Sequence, residues 1–298
     1  MASISQPSST RPAVVRSERF RGSNLTEGIT RFLLYVAVFI GGVIFAIPFY
    51  WMLRTSVMPT AQVYLFPPEW WPERFEWQHF KTPFAVFPFA KFFLNSAYIA
   101  ILSAIGTALS SSLVGFSFAR LRFPLRDFLF VVVLATMILP EHVRLVPTYL
   151  IYVYLGWIGT YLPLIVPNWF APAFYVFLMR QFFMTIPKDM DDAALIDGCN
   201  PLGLFWRIHM PLSMPALGVV LIFQITYHWN DFLHPLIYIQ GVNNYTVALG
   251  LQLFQGQMTN NMQALMAASI LAILPTIFMF FFAQRYFVQG IVVSGVKG

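Results

Sequence analysis

A chain of 298 residues that is 58% hydrophobic and only 10% charged, with a mean hydropathy of +0.67, is an integral membrane protein, because a soluble domain carries about 25% charged residues. Its formal net charge of +6 comes from Lys and Arg scattered beside apolar segments, without a basic face or stacking platform, and that excludes nucleic-acid binding. A single cysteine excludes a disulfide framework and a multi-cysteine metal site.

Residues 1–31 mix Ser, Pro and Arg without apolar periodicity and predict a mobile tail ahead of a membrane domain over 32–298. The stretch 32–53 is nearly uncharged and about 33 Å long as a helix, enough to cross a hydrocarbon core of roughly 30 Å. It is too long and too far from the start for a signal-peptide core. Further spans are predicted over 92–118, from 128, and over 161–182, 216–238 and 264–287. The run from 128 meets Pro140 and Glu141 and resumes over 146–158, so it either kinks or ends in a helix lying at the interface. The expected fold is all-α with six transmembrane helices, seven being the alternative.

Lys and Arg set the orientation, because basic residues are retained on the cytoplasmic side. With six spans, Arg11, Arg16, Arg19, Arg21, Arg31, Arg120, Arg122, Arg126, Arg180, Lys188, Arg207, Arg285 and Lys297 share the side of the N-terminal tail. Arg54, Arg74, Lys81, Lys91 and Arg144 lie opposite. Both termini are then cytoplasmic. So is the segment between the fourth and fifth spans. The outer loop 57–90 carries six prolines with Trp70, Trp71 and Trp77, and reads either as an interfacial aromatic belt or as a docking surface for an external protein.

The cytoplasmic segment is a polar island built as two short helices. Pro187 fits a first helical turn, and Asp189, Asp191 and Asp192 sit where the positive helix end favours acids. Gly198 can adopt the left-handed conformation that closes a helix. Asn200-Pro201 reads as an N-cap followed by Pro at the first helical position, opening a second helix that Pro211 ends. Ala193 and Ala194 are small enough for another protein to approach the backbone, and Asp192 and Asp197 can accept hydrogen bonds from its Arg or Lys. Cys199 reads as a small apolar residue beside a packing surface.

In the fifth span, Asp231 is the sole acid, beside His228, Trp229, Asn230 and His234. A charge at membrane depth costs several kcal/mol unless it faces a cavity or a partner. Pro235 removes a backbone hydrogen bond to the carbonyl of Asp231 and opens the helix there. Trp229, Asn230 and Asp231 are thus candidates for a solute path, a polar contact between helices being the other reading. His228, Asp231 and His234 fan over about 120° of a helix, which disfavours a metal site.

Asp192-Ala193-Ala194, then Gly198, then Ile208-His209-Met210-Pro211 resembles the EAA loop of ABC importer membrane subunits, with Asp192 for the usual Glu, Met210 for Leu and Cys199 for Ala. Pro48 to Ser56, Phe182 to Pro187, Trp229-Asn230-Asp231-Phe232-Leu233-His234-Pro235-Leu236, Gln284 to Gly290 and Val296-Lys297-Gly298 are also similar to that family, most of all to the shorter, maltose-permease-type subunit of carbohydrate importers. The likeness covers about residues 30–298, with a type-1 permease core over about 92–287. It implies a permease subunit in the inner cell membrane, a cytoplasmic coupling loop between spans 4 and 5, and no cofactor. It implies as partners two ABC ATPases held by Asp192, Ala193, Ala194, Asp197, Gly198, Ile208 and Pro211, a second permease subunit making a heterodimer, an extracytoplasmic solute-binding protein, a carbohydrate and membrane lipid. The chain lacks G-x-x-x-x-G-K followed by Ser or Thr, and has no nucleophile–base set, so it is expected to be a pore subunit and not an enzyme. The rival reading is a proton-coupled secondary transporter using Asp231 and the histidines, for which the sequence shows neither inverted repeats nor broken helices.

Overall fold

The computed structural model describes residues 24–257 and 261–295. The described residues form helices and turns, with no strand among them. Helix α1 (Asn24–Val57) starts ahead of the apolar run, with Glu27 in its first turn, where the helix end favours an acid. Residues up to Trp51 form a unit by themselves, and the chain from Met52 forms the second. The apolar side chains of the first unit are exposed around the helix, among them Phe32, Phe39 and Phe45, as suits a surface solvated by lipid. Residues 1–23 of the expected tail, and Val296-Lys297-Gly298, lie outside the described residues.

In the second unit, loop 57–88 is made of short helical pieces around Gln62. The Gln62 side chain is 3% exposed; its Oε1 accepts from Glu73 N at 3.0 Å and its Nε2 donates to Trp71 O at 2.9 Å. Helix α2 (Phe89–Arg120) is the central element. It packs against α5 and α8, defined below, and buries a stripe of hydroxyls, Ser96, Ser103, Thr107 and Ser111. Ser96, Ser103 and Thr107 serve backbone of neighbouring segments at membrane depth, which lipid cannot satisfy. Ser103 Oγ donates to Leu164 O at 3.1 Å, Thr107 Oγ1 to Asn168 O at 3.1 Å, and Ser96 Oγ accepts from Val247 N at 2.9 Å. A Cβ at Gly115 would stand 2.9 Å from Arg180 N and Met179 Cβ, so the close approach of α2 to α5 requires glycine there.

The run from 128 is two helices, α3 (Arg126–Ala135) and α4 (Glu141–Tyr154). Pro140 lacks an N–H and fixes its φ, and the chain turns before it. At about 1.5 Å per residue α3 is only about 15 Å long, half a hydrocarbon core. Arg180 lies 4.1 Å over the Phe130 ring, a cation–π contact that holds α3 to its neighbour. The segment Leu162–Thr185 opens with short turns and continues as α5 (Ala173–Thr185) after Pro172.

Helices α6 (Lys188–Ile196) and α7 (Pro201–Leu204) make a helical hairpin. Then come α8 (Met214–Asn230), α9 (Leu233–Tyr238), α10 (Val247–Gln257) and α11 (Met262–Gly295). Among the described residues four segments are long and apolar enough to cross a membrane: Glu27–Val57, Phe89–Arg120, Leu162–Thr185 and Met262–Phe282. The other two stretches expected to span, from 128 and over 216–238, are each interrupted, the first into α3 and α4 and the second into α8 and α9. The break between α8 and α9 falls at Asp231-Phe232, where Pro235 withholds its hydrogen bond. A broken helix is therefore present at the turn that Pro235 is expected to open, although the reading against a secondary transporter counted none.

Candidate functional site

The hairpin is shaped by its own residues. Cys199 N donates to Ala194 O at 2.9 Å and Gly198 N to Leu195 O at 3.1 Å, with Gly198 at φ +78°. This is a Schellman closure, in which a left-handed residue satisfies the last carbonyls of the helix. Asn200 Oδ1 then accepts from Gly203 N at 2.7 Å and caps α7, with Pro201 at its start. Pro211 does not end the second helix. A π-turn over Phe205–His209 widens the coil, the chain passes Pro211 within Met210–Leu212, and it then bends by 77° into α8. The wider turn relieves the clash that proline would make with the carbonyl four residues before it.

The two faces of the hairpin differ. Inward, Ala194, Leu204 and Phe205 are buried against Phe116, Met179, Phe183 and Leu217, with Ile208 packed at the edge. Outward, Asp192, Ala193, Asp197, Gly198 and Pro211 are exposed, together with Leu195, Ile196, Leu202 and Trp206. Of the seven residues expected to meet a partner, Ala194 and Ile208 instead anchor the hairpin to the membrane helices. The two consecutive alanines point in different directions, because successive helical residues are about 100° apart.

The acid that the fold uses inside is Asp191, the neighbour of the one singled out. Its Oδ2 lies 3.1 Å from Arg120 Nη1 and its Oδ1 2.7 Å from His209 Nε2, with side-chain exposures of 12%, 4% and 0% for Asp191, Arg120 and His209. Arg120, in the last turn of α2, also donates to the carbonyls of Phe183 and Ile186. The His209 ring sits edge-on between Phe116 and Phe183 at centroid distances of 5.0 and 5.5 Å. Burial pushes His209 below the usual imidazole range, against the opposing pull of Asp191. One charge cluster thus ties α2, the end of α5, α6 and the π-turn together.

A second polar centre is a cavity of about 210 Å³ between α4, segment 162–168 and the α8–α9 break. Asp231 lines it, with a side chain 8% exposed. Its Oδ1 accepts from His234 N at 3.2 Å and so caps α9. His234 reaches both ways, with Nδ1 2.9 Å from Asp231 Oδ2 and Nε2 3.0 Å from Glu141 Oε1. Arg144, Thr148, Asn168, Tyr227 and His228 add to the polar lining. Trp229 is not there: it packs on Phe93, and its indole N–H donates to Ala272 O at 2.9 Å. Asn230 is exposed and its amide donates to Thr226 O of its own helix at 2.8 Å. Of the three expected path residues the structure brings only Asp231 to the cavity.

The comparisons with known proteins agree with this architecture. The family model described as "binding-protein-dependent transport system inner membrane component" matches residues 111–293. The chain is 38% identical over 208 residues to the arabinooligosaccharides transport system permease protein of Bacillus subtilis (strain 168), over 70% of this chain and 74% of that one. It is 35% identical over 209 residues to the sn-glycerol-3-phosphate transport system permease protein of Shigella flexneri serotype 5b (strain 8401), again over 70% and 74%. Its fold is similar to a chain of a bacterial ABC transporter involved in the import of the acidic polysaccharide alginate, with a TM-score of 0.78 at 19% identity over 88% of this chain and 98% of that one. The alginate transporter in complex with a pentasaccharide-bound periplasmic protein gives a TM-score of 0.61 at 17% identity, over 87% and 95%. On its family match and its apolar helices, the chain belongs to the binding-protein-dependent transport system inner membrane components, the multi-pass permease subunits of ABC importers.

Proposed function

We propose that this chain is one permease of an ATP-driven importer that passes a sugar or oligosaccharide, delivered by an extracytoplasmic binding protein, into the cytoplasm. The observation that carries the reading is the two-faced hairpin, whose inner side is fixed to the membrane helices while its outer side presents Asp192, Asp197, Leu195, Ile196 and Trp206 to a partner. That partner is one of two ABC ATPases. The chain is a transport subunit and not an enzyme, and ATP is hydrolysed by the separate ATPases. A second permease, in a heterodimer, completes the pore. Six crossings in the cell membrane put both termini and the hairpin in the cytoplasm, in keeping with the distribution of Lys and Arg. ATP binding closes the ATPases and moves the hairpin. Its anchor carries the movement to α2 and α8, and the cavity beside Asp231 changes from inward- to outward-facing. The solute belongs to the polyhydroxylated class, as do the compounds in the names of the arabinooligosaccharide and glycerol-phosphate relatives.

The test is coupling. Asp192→Lys reverses a charge on the outer face, and Gly198→Val strains the left-handed turn. Both variants insert in the membrane but hydrolyse ATP without uptake. Normal ATPase recruitment and uptake in both would remove the assignment. An impermeant maleimide reaches Asp197→Cys, in a Cys199→Ser background, only in inverted vesicles stripped of ATPase; labelling of intact cells would overturn the orientation.

A further inference from the structure

The importer reading leaves open whether this permease touches the solute and which kind it accepts. His228 bears on both questions. It lines the cavity, is 5% exposed, and neither ring nitrogen has a hydrogen-bond partner. A buried polar group without a partner costs roughly 1–3 kcal/mol, and such groups in native folds have a reason. A neutral imidazole offers one donor and one acceptor, which matches a hydroxyl that can do both. Around it, Tyr152 and Tyr238 meet edge to face at 5.2 Å, and the Tyr238 ring stacks on His234 at 6.1 Å. Such rings give the C–H faces of a sugar an apolar wall.

The charges of the lining decide the class. Between two carboxylates the His234 ring can donate from both nitrogens only as imidazolium. The triad Asp231–His234–Glu141 then carries one net negative charge, which Arg144 on the same wall balances. No net positive charge is left for a carboxylate or phosphate on the solute, which would face Asp231 and Glu141 without a compensating cation. We propose that the cavity is a saccharide subsite on this chain, taking one neutral sugar ring through His228 and Glu141 and rejecting uronates and phosphate esters. It rests on the importer reading for its place in transport. The volume of about 210 Å³ admits a single ring, being below the roughly 300 Å³ at which sites for larger ligands begin.

Equilibrium binding needs no ATP turnover, and so separates this claim from the importer reading. The assembled importer, in lipid nanodiscs without its binding protein, is examined by saturation-transfer NMR with methyl β-D-glucopyranoside, methyl α-L-arabinofuranoside and methyl β-D-glucuronide. A neutral glycoside receives saturation, and the glucuronide receives about tenfold less. His228→Phe lowers the neutral signal about tenfold, while His228→Gln, which keeps a donor and an acceptor, retains it. Glu141 is half exposed, so Glu141→Gln is tolerated by the fold; it leaves the lining net positive and raises the glucuronide signal. Silence of both neutral glycosides in an importer that still transports would overturn the subsite and leave the importer standing. So would a wild-type glucuronide signal equal to the neutral one, or an unchanged one in Glu141→Gln. Binding as proposed without ATP-dependent uptake would support the subsite and sink the importer reading alone.

Discussion

Asp191→Ala is the most informative single perturbation of the hairpin. It strands the Arg120 guanidinium, 4% exposed, and takes the carboxylate away from the Nε2 of the fully buried His209 ring. Breaking a buried ion pair by deleting one partner costs about 3–5 kcal/mol. Arg120 keeps the carbonyls of Phe183 and Ile186, which places the cost near the lower end, about 3 kcal/mol. At roughly 2–4 °C per kcal/mol for a domain of this size, the expected fall in melting temperature is about 6–12 °C. Thermal unfolding of the purified protein in detergent measures it. The same variant should lower uptake per ATP hydrolysed, since the hairpin is then held to α2 by apolar contacts alone. Replacing both partners, Arg120→Met with Asp191→Leu, recovers most of the stability, because no uncompensated charge is left. A melting point within about 1 °C of wild type for Asp191→Ala alone, or a double variant worse than the single one, would refute the reasoning.

Three further outcomes follow from the geometry. The His209 imidazole is held below its unfolded value by burial, so the native state binds fewer protons there. Its contribution to stability is complete above about pH 6.5 and erodes as pH falls below that; melting curves at stepped pH should show this loss, and His209→Gln should flatten that part of the dependence. Gly198→Ala puts a Cβ at φ +78°, costing about 1–2 kcal/mol, and a hairpin as stable as wild type by hydrogen exchange would contradict the strain. Trp229→Phe loses the indole bond to Ala272 O, about 1 kcal/mol, and should lower the melting point with uptake per folded molecule unchanged; a selective loss of uptake would return Trp229 to the solute path.

The hairpin was legible because its shape is set locally: Gly198, Asn200 and Pro201 act on backbone a few residues away. The positive end of a helix accepts any of Asp189, Asp191 and Asp192, so local chemistry gives no way to tell which acid turns inward. That choice is made by Arg120, which sits on another helix. The same limit explains Trp229, Asn230 and Asp231. Consecutive residues of a helix share no face, and Asp231 already stands extended at the helix end, so the three meet the apolar core, the exposed surface and the cavity in turn. Glu141 stood out only as an interruption of the apolar run after Pro140, yet it opens α4 and meets His234. Composition marked the spans, but hydropathy measures how apolar a stretch is and not whether its helix is continuous. The runs with Pro140 and Pro235 therefore proved to be in pieces.

The central claim is that the hairpin has an anchored inner face and a docking outer face. Site-directed cross-linking in the assembled importer, in a Cys199→Ser background, tests it most directly. Single cysteines replacing Asp192 or Ile196, which is 86% exposed, should cross-link to the ATPase, and those replacing Ala194 or Leu204 should not. Cross-links from Ala194 and Leu204, with none from Asp192 and Ile196, would contradict the account.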